Sequence, residues 1–248
     1  MKKDFKDYYS RQAEEYSRYR PTYPDKLFEY LKSVVYGHEL AVDCATGSGQ
    51  AAKGLAKYFN EVIALDASEA QIKNAYEIPN VKYKIATAEE TGLKKDSADL
   101  VTIATAIHWI DTDLFYKETE RILKDNGVIA VWTYGITCDI DPETDNIVNN
   151  FSERILEEHW DIHIKKILSF EEMKFPFKRV PSPEFKIRRE WTREEYLNYI
   201  YTWSSVHKFI ESHNSNPMDL LREELKDVWD ENLRKEIIWN IQMKAGRK

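Results

Sequence analysis

The chain has 248 residues, 42% of them hydrophobic and 13% aromatic, which suits one α/β domain with aromatics left over for a pocket. A formal net charge of −7 with both signs interspersed and no basic block argues against nucleic acid as a partner. Cys44 and Cys138 are too few for a disulfide framework, and neither a leader-like apolar stretch nor a run of membrane-spanning length is present, so a reduced, cytoplasmic protein with no membrane partner is expected.

Phe5, Tyr8, Tyr9, Ala13, Tyr16 and Tyr19 recur at helical spacing and give an aromatic face. That face either packs on the domain or forms a lid with Tyr9, Tyr16 and Arg20 turned inward, where rings suit a cation and a guanidinium suits a carboxylate. Pro24 opens a helix carrying Leu27, Phe28 and Leu31. The short apolar run Glu39-Leu40-Ala41-Val42-Asp43-Cys44-Ala45 reads as a strand that carries an acid near its end. Thr46-Gly47-Ser48-Gly49 turns, Gln50 to Phe59 reads as a helix, and Val62-Ile63-Ala64-Leu65 is a second strand ending in Asp66. This order is half of a nucleotide-binding βαβ unit.

Gly47-Ser48-Gly49-Gln50-Ala51-Ala52 satisfies G-x-G-x-x-A, so a nicotinamide or flavin dinucleotide has to be considered, and so does a simple strand cap. Asp43, just before the turn, would repel a pyrophosphate and serve a cation instead. S-adenosylmethionine has no phosphate and carries an ammonium, a sulfonium and a ribose diol, which Asp66 is spaced to accept.

Downstream, Ser68 is a plausible N-cap for a helix from Glu69 to Tyr76, and Val81 to Ile85 alternates like a strand. Asp99 to Ala104 reads as a buried parallel strand, with Thr105, His108 and Trp109 at its C-terminal end, where open α/β sheets bind ligands. A helix from Asp111 has Leu114, Phe115, Ile122 and Leu123 on its apolar face. Lys124 to Gly127 reads as a turn, and Val128 to Trp132 as a strand with Tyr134 at its tip. Residues 136–183 read as an inserted cap over the substrate side: a helix from Pro142 to Trp160, then a Phe/Pro-rich loop. His159 and His163, four apart on one helix, lack a third ligand nearby, so no metal is expected. Phe185 to Trp191 alternates as a strand, and Thr192 to Glu195 is a capping box opening a helix on which Trp203 and His207 share a face. A helix from Pro217, a last strand from Ile237 to Met243 and a basic tail, Lys244 to Lys248, complete the chain.

The words Val42-Asp43-Cys44-Ala45-Thr46-Gly47-Ser48-Gly49-Gln50, Leu65-Asp66-Ala67-Ser68, Ala86-Thr87-Ala88-Glu89-Glu90 and Ala106-Ile107-His108-Trp109, with Arg20-Pro21-Thr22-Tyr23-Pro24, occur in one order. In this the chain resembles the class I S-adenosylmethionine-dependent methyltransferases, type 11 branch, and is similar there to trans-aconitate methyltransferase-like enzymes. Ala45 departs from the pattern, which usually has glycine.

The expected architecture is a Rossmann-like three-layer α/β sandwich with a seven-stranded, mostly parallel sheet. One domain would comprise N-terminal lid helices (1–35), a cofactor-binding half (36–135), the cap (136–183) and C-terminal strands and helices (184–248). The resemblance implies that the last strand is antiparallel, that the N-terminal segment closes the site, and that Ala88 and Glu89 hold the adenine. Asp43, Ala45, Thr46, Gly47, Gly49 and Gln50 would serve the donor at the turn; Asp66, Ala67, Thr105 and Arg20 would complete its site. Tyr9, Tyr16, His108, Trp109, Tyr134, Trp203 and His207 would face a small-molecule acceptor in a monomer or homodimer.

The expected reaction is in-line O-methylation of a small organic acid, which needs no base. A phenol, amine or carbon acceptor would use His108 as general base. A nicotinamide-dependent oxidoreductase and a non-catalytic binding protein are the competing classes.

Overall fold

The computed structural model describes residues 19–165 and 170–248. Tyr9 and Tyr16 lie outside the described residues. The chain runs α1 (Asp25–Val34), β1 (Leu40–Cys44), α2 (Gln50–Leu55), β2 (Glu61–Asp66), α3 (Glu69–Lys73), β3 (Val81–Ile85), β4 (Ala98–Ala104), α4 (Thr112–Ile122) and β5 (Leu123–Tyr134). It continues through α5 (Pro142–Asn150), α6 (Ile162–Lys165), β6 (Lys178–Val180), β7 (Phe185–Trp191), α7 (Arg193–Tyr201), α8 (Ser204–His213), α9 (Met218–Lys226) and β8 (Lys235–Arg247).

The strands form one sheet in the order β3-β2-β1-β4-β5-β8-β6, with β7 also on β8. β3, β2, β1, β4 and β5 pair in parallel, and β8 is antiparallel to β5, as expected. The expected seven strands become eight in seven places. β6 pairs with Ala245 to Arg247 and β7 with Lys235 to Ile241, so two short strands share one edge of β8.

Alternation along each strand sorts side chains between two layers. Ala41, Ala64, Leu100 and Ala130 face a core shared with Leu27, Phe28 and Leu31 of α1 and Leu55 of α2, whereas Val42, Leu65, Val101 and Val131 face Phe115 and Ile122 of α4. Both faces are thus covered, as a parallel sheet requires.

Several local expectations change. α2 stops at Leu55 and continues only as a turn, with Lys57 N bonding Gly54 O at 3.4 Å. The Lys124–Gly127 turn is a bulge inside β5: pairing jumps from Ala98–Leu123 to Leu100–Val128, and Asn126 takes φ 64°. Leu114 is 49% exposed, and Tyr116 fills the apolar face of α4 instead. His159 and His163 do not share a helix, because Trp160 turns extended (φ −67°, ψ 132°) between them. The basic tail does not trail off: Lys244 is 2% exposed in β8, and its Nζ donates to Glu171 O and Met173 O at 2.9 and 2.7 Å.

The segment 136–183 also divides. Its helical part reaches the cleft described below, but Phe170, Phe175 and Phe177 pack on the α4 face of the sheet, away from the cap expected there. Among the described residues no helix is long and apolar enough to cross a membrane.

Candidate active site

Reversal of strand order between β1 and β4 opens a crevice at their C-terminal ends, the place where such sheets bind ligands. Two residues without glycine's freedom take left-handed backbone there: Ala45 (φ 50°) after β1 and Thr105 (φ 53°) after β4. Such conformations cost about 1–3 kcal/mol each and concentrate at functional sites. The left-handed φ is the physical reason the pattern prefers glycine where this chain has Ala45. Thr105 is held by its N–H on Trp132 O at 2.7 Å and by Tyr23 Oη at 3.0 Å from its hydroxyl.

The turn itself is bound to the neighbouring strand. Gly47 (φ 57°) and Gly49 (φ 88°) both need positive φ, and a Cβ on Gly49 would stand 2.3 Å from Tyr83 Oη. Thr46 N donates to Leu65 O at 2.9 Å. Asp66 bridges the two loops, accepting Gly47 N at 2.8 Å and Ser68 N at 2.9 Å. Ser68 caps α3 as expected, accepting Gln71 N at 3.3 Å. Gln50 begins α2 beside the turn, and Ala67 is exposed next to Asp66.

Asp43 is fully buried beneath the turn, and its two oxygens take the hydroxyls of Thr46 at 2.5 Å and Thr102 at 2.7 Å, which ties the loop to β4. Burial pushes its carboxyl up to about 6. Thr102 is not among the residues the sequence singles out, although a hydroxyl within an apolar strand is a usable signal.

On the adenine side, Ala88 is 4% exposed, and Glu89 accepts Asp111 N at 2.9 Å, joining its loop to the start of α4.

A cleft of about 470 Å³, open mouth included, adjoins the switch point and shares Thr105 with it. Arg20, His108, Tyr134, Trp203 and Ser204 line it, joined by Trp160 and Ile164, to which the sequence assigns no site role. Arg20 lies over the Tyr199 ring at 5.3 Å and donates to Thr202 O at 3.4 Å. His108 is buried in a 3₁₀ turn, and half-buried Trp109 packs on it at 5.2 Å, outside the cleft lining. Trp203 and His207 do not share a helix face: the chain breaks at Trp203, which precedes α8, and the His207 ring packs on Tyr201 at 4.9 Å.

Residues 42–131 match the family model of the methyltransferase domain, type 11. A Dictyostelium discoideum protein assigned as a methyltransferase is 31% identical over 225 residues, spanning 89% of this chain and 86% of that one. The chain belongs to the class I S-adenosylmethionine-dependent methyltransferases. A Saccharomyces cerevisiae protein assigned as an S-adenosylmethionine-dependent methyltransferase is 24% identical across 94% of both chains. The solved structure of an Anaeromyxobacter dehalogenans protein, described as a type II methyltransferase, superposes with a TM-score of 0.86 at 35% identity over 92% of this methyltransferase and 97% of that chain.

The residues of this methyltransferase suit its cofactor. The turn has room above it, since a Cβ on Gly47 would meet nothing nearer than Gln71 Oε1 at 3.8 Å. Below it lies a buried carboxylate, a poor neighbour for a pyrophosphate and a good one for an ammonium or sulfonium. Asp66, at the tip of β2 beside the turn, is held in place by the amides of Gly47 and Ser68.

Proposed function

We propose that this methyltransferase acts on a small organic acid and methylates a carboxylate oxygen, in the manner of the trans-aconitate methyltransferase-like enzymes it resembles. One observation carries this reading: the cleft at the switch point holds Arg20 and His108, and among the described residues no aspartate or glutamate lines it. An anionic acceptor suits such a wall and a cationic one does not.

In this reading Asp66 accepts the ribose hydroxyls, the backbone from Ala45 to Gly49 cradles the methionine end, and Ala88 with Glu89 meets the adenine. The negative field of Asp43 beneath the turn supports the positive end of the ligand without touching it. When bound, S-adenosylmethionine would supply an activated sulfonium methyl group, and the acceptor oxygen would take it as neutral S-adenosylhomocysteine leaves. The protein's task is then to align the acceptor and exclude water, and near-attack positioning of this kind contributes up to ~7–11 kcal/mol. Tyr134, Trp203 and Trp160 give the cleft apolar walls, and His108 orients the acid rather than deprotonating it.

A labelled-donor screen over small acids, phenols and amines tests this. The label should appear in a methyl ester that mild alkali releases, and His108→Ala should keep at least about a tenth of the turnover. An alkali-stable methyl group on a phenol or amine, with His108→Ala slowed roughly 10²–10⁴-fold, would instead make His108 the general base and defeat the carboxylate assignment.

A further inference from the structure

One wall of the cleft is the start of a helix that no side chain caps. α8 is preceded by Trp203 in extended backbone (φ −71°, ψ 132°), with no side-chain cap bond at its N-terminus. Trp203 and Ser204 both line the cleft. The first N–H groups of a helix carry partial positive charge and seek acceptors, so this end of the cleft favours an anion.

A second observation, independent of the helix, points the same way. Trp203 is 2% exposed, and its Nε1 has no hydrogen-bond partner among the described residues. Ser205, within the first turn, is fully buried with an Oγ in the same condition. A buried donor left unsatisfied destabilises the fold unless a ligand provides the acceptor. The indole is not loose: Trp160 packs on it at 5.4 Å and Tyr199 meets it edge-on at 6.0 Å. Arg20, bonded to the carbonyl of Thr202 one residue before, places its guanidinium beside it.

We infer that the start of α8, with the Trp203 indole N–H as its selective donor, is an anion subsite that anchors a carboxylate of the acceptor. The inference rests on reading the cleft as the acceptor site, and it adds which protein groups grip the acid. Charge-assisted bonds from N–H donors distinguish a carboxylate from its neutral ester or amide.

The test is calorimetry on protein loaded with S-adenosylhomocysteine, titrated with succinate, benzoate and phenylacetate, each against its primary amide. At least one acid should bind ten-fold or more tighter than its amide. Trp203→Phe, which keeps a ring and removes the N–H, should weaken that acid about 10- to 100-fold while S-adenosylhomocysteine affinity changes less than two-fold. Equal binding of acid and amide, no binding of any acid, or an acid affinity untouched by Trp203→Phe overturns the subsite. If Trp203→Phe also loses S-adenosylhomocysteine, Ser205→Ala decides: selective loss of acid affinity supports the subsite, and none overturns it. Transfer of label to a phenol while acids still bind through Trp203 would remove the carboxylate reaction and leave the subsite standing.

Discussion

Asp43 is fully buried, and burial lifts its carboxyl from an ordinary 3.8 to about 6, against the opposing pull of the Thr46 and Thr102 hydroxyls. Between those two values the folded protein holds a proton that the unfolded chain has released, so stability without cofactor falls as pH rises through that window. Asp43→Asn removes the titration, and either threonine hydroxyl can rotate to accept from the amide. The variant should match wild type below about pH 4 and exceed it above pH 6, by at most roughly 3 kcal/mol at 1.36 kcal/mol per pKa unit. It should also bind S-adenosylmethionine about ten-fold more weakly, since the buried charge is gone. Denaturant curves across pH, with calorimetry at pH 8, check both; parallel stability profiles for the two proteins would contradict the burial argument. The acid was visible in the sequence, but its partner was not, because register alone sets Thr102 opposite Asp43.

At the scale of elements, the loop carrying Ala88 and Glu89 is tied to α4 at two places, at its start by Glu89 on Asp111 N and further along by Glu118. Glu118 accepts Thr91 N at 3.0 Å and Thr91 Oγ1 at 2.5 Å, and pairs with Arg121 through two bonds of 2.7 Å. Arg121, with lesser help from Thr91, holds the Glu118 carboxyl down at about 2. A depressed carboxyl contributes stability that is complete above its unfolded value and is lost as pH falls towards the folded one. Glu118→Gln should therefore cost about 1–3 kcal/mol at pH 7 and remove that acid-side decline, while loosening the loop enough to weaken cofactor binding. Hydrogen exchange at Thr91 and Leu93 reads the loop directly, and unchanged protection would refute the tie. Cap chemistry was legible at this scale. The Thr192–Glu195 box forms with both bonds present, and Ser68 caps α3. The break between α7 and α8 was not legible, since Trp203, Ser204 and His207 carry helical spacing straight through it.

For the whole molecule, the last strand is the clamp. Lys244, Arg247 and Lys248 donate to Met173 O, Val34 O and Leu123 O, so the end of β8 joins the Phe-rich loop, α1 and β5. Deleting residues 244–248 should leave β6 without a partner and lower the melting point by about 10 °C or more, each kcal/mol being worth roughly 2–4 °C at this size. A truncated protein that melts with wild type would show the clamp to be dispensable.

Sequence alone determined the βαβ half, its glycine turn and the acid ending β2, because apolar periodicity, positive-φ residues and caps are local properties carried by neighbours in the chain. Tertiary structure decided what Asp43 touches, where the Phe-rich loop lies and that the basic tail is a strand. It also brought Arg20, Thr105, Trp160 and Trp203 to one cleft. Those outcomes depend on which strands pair and which faces are already covered, and no short stretch of sequence encodes either.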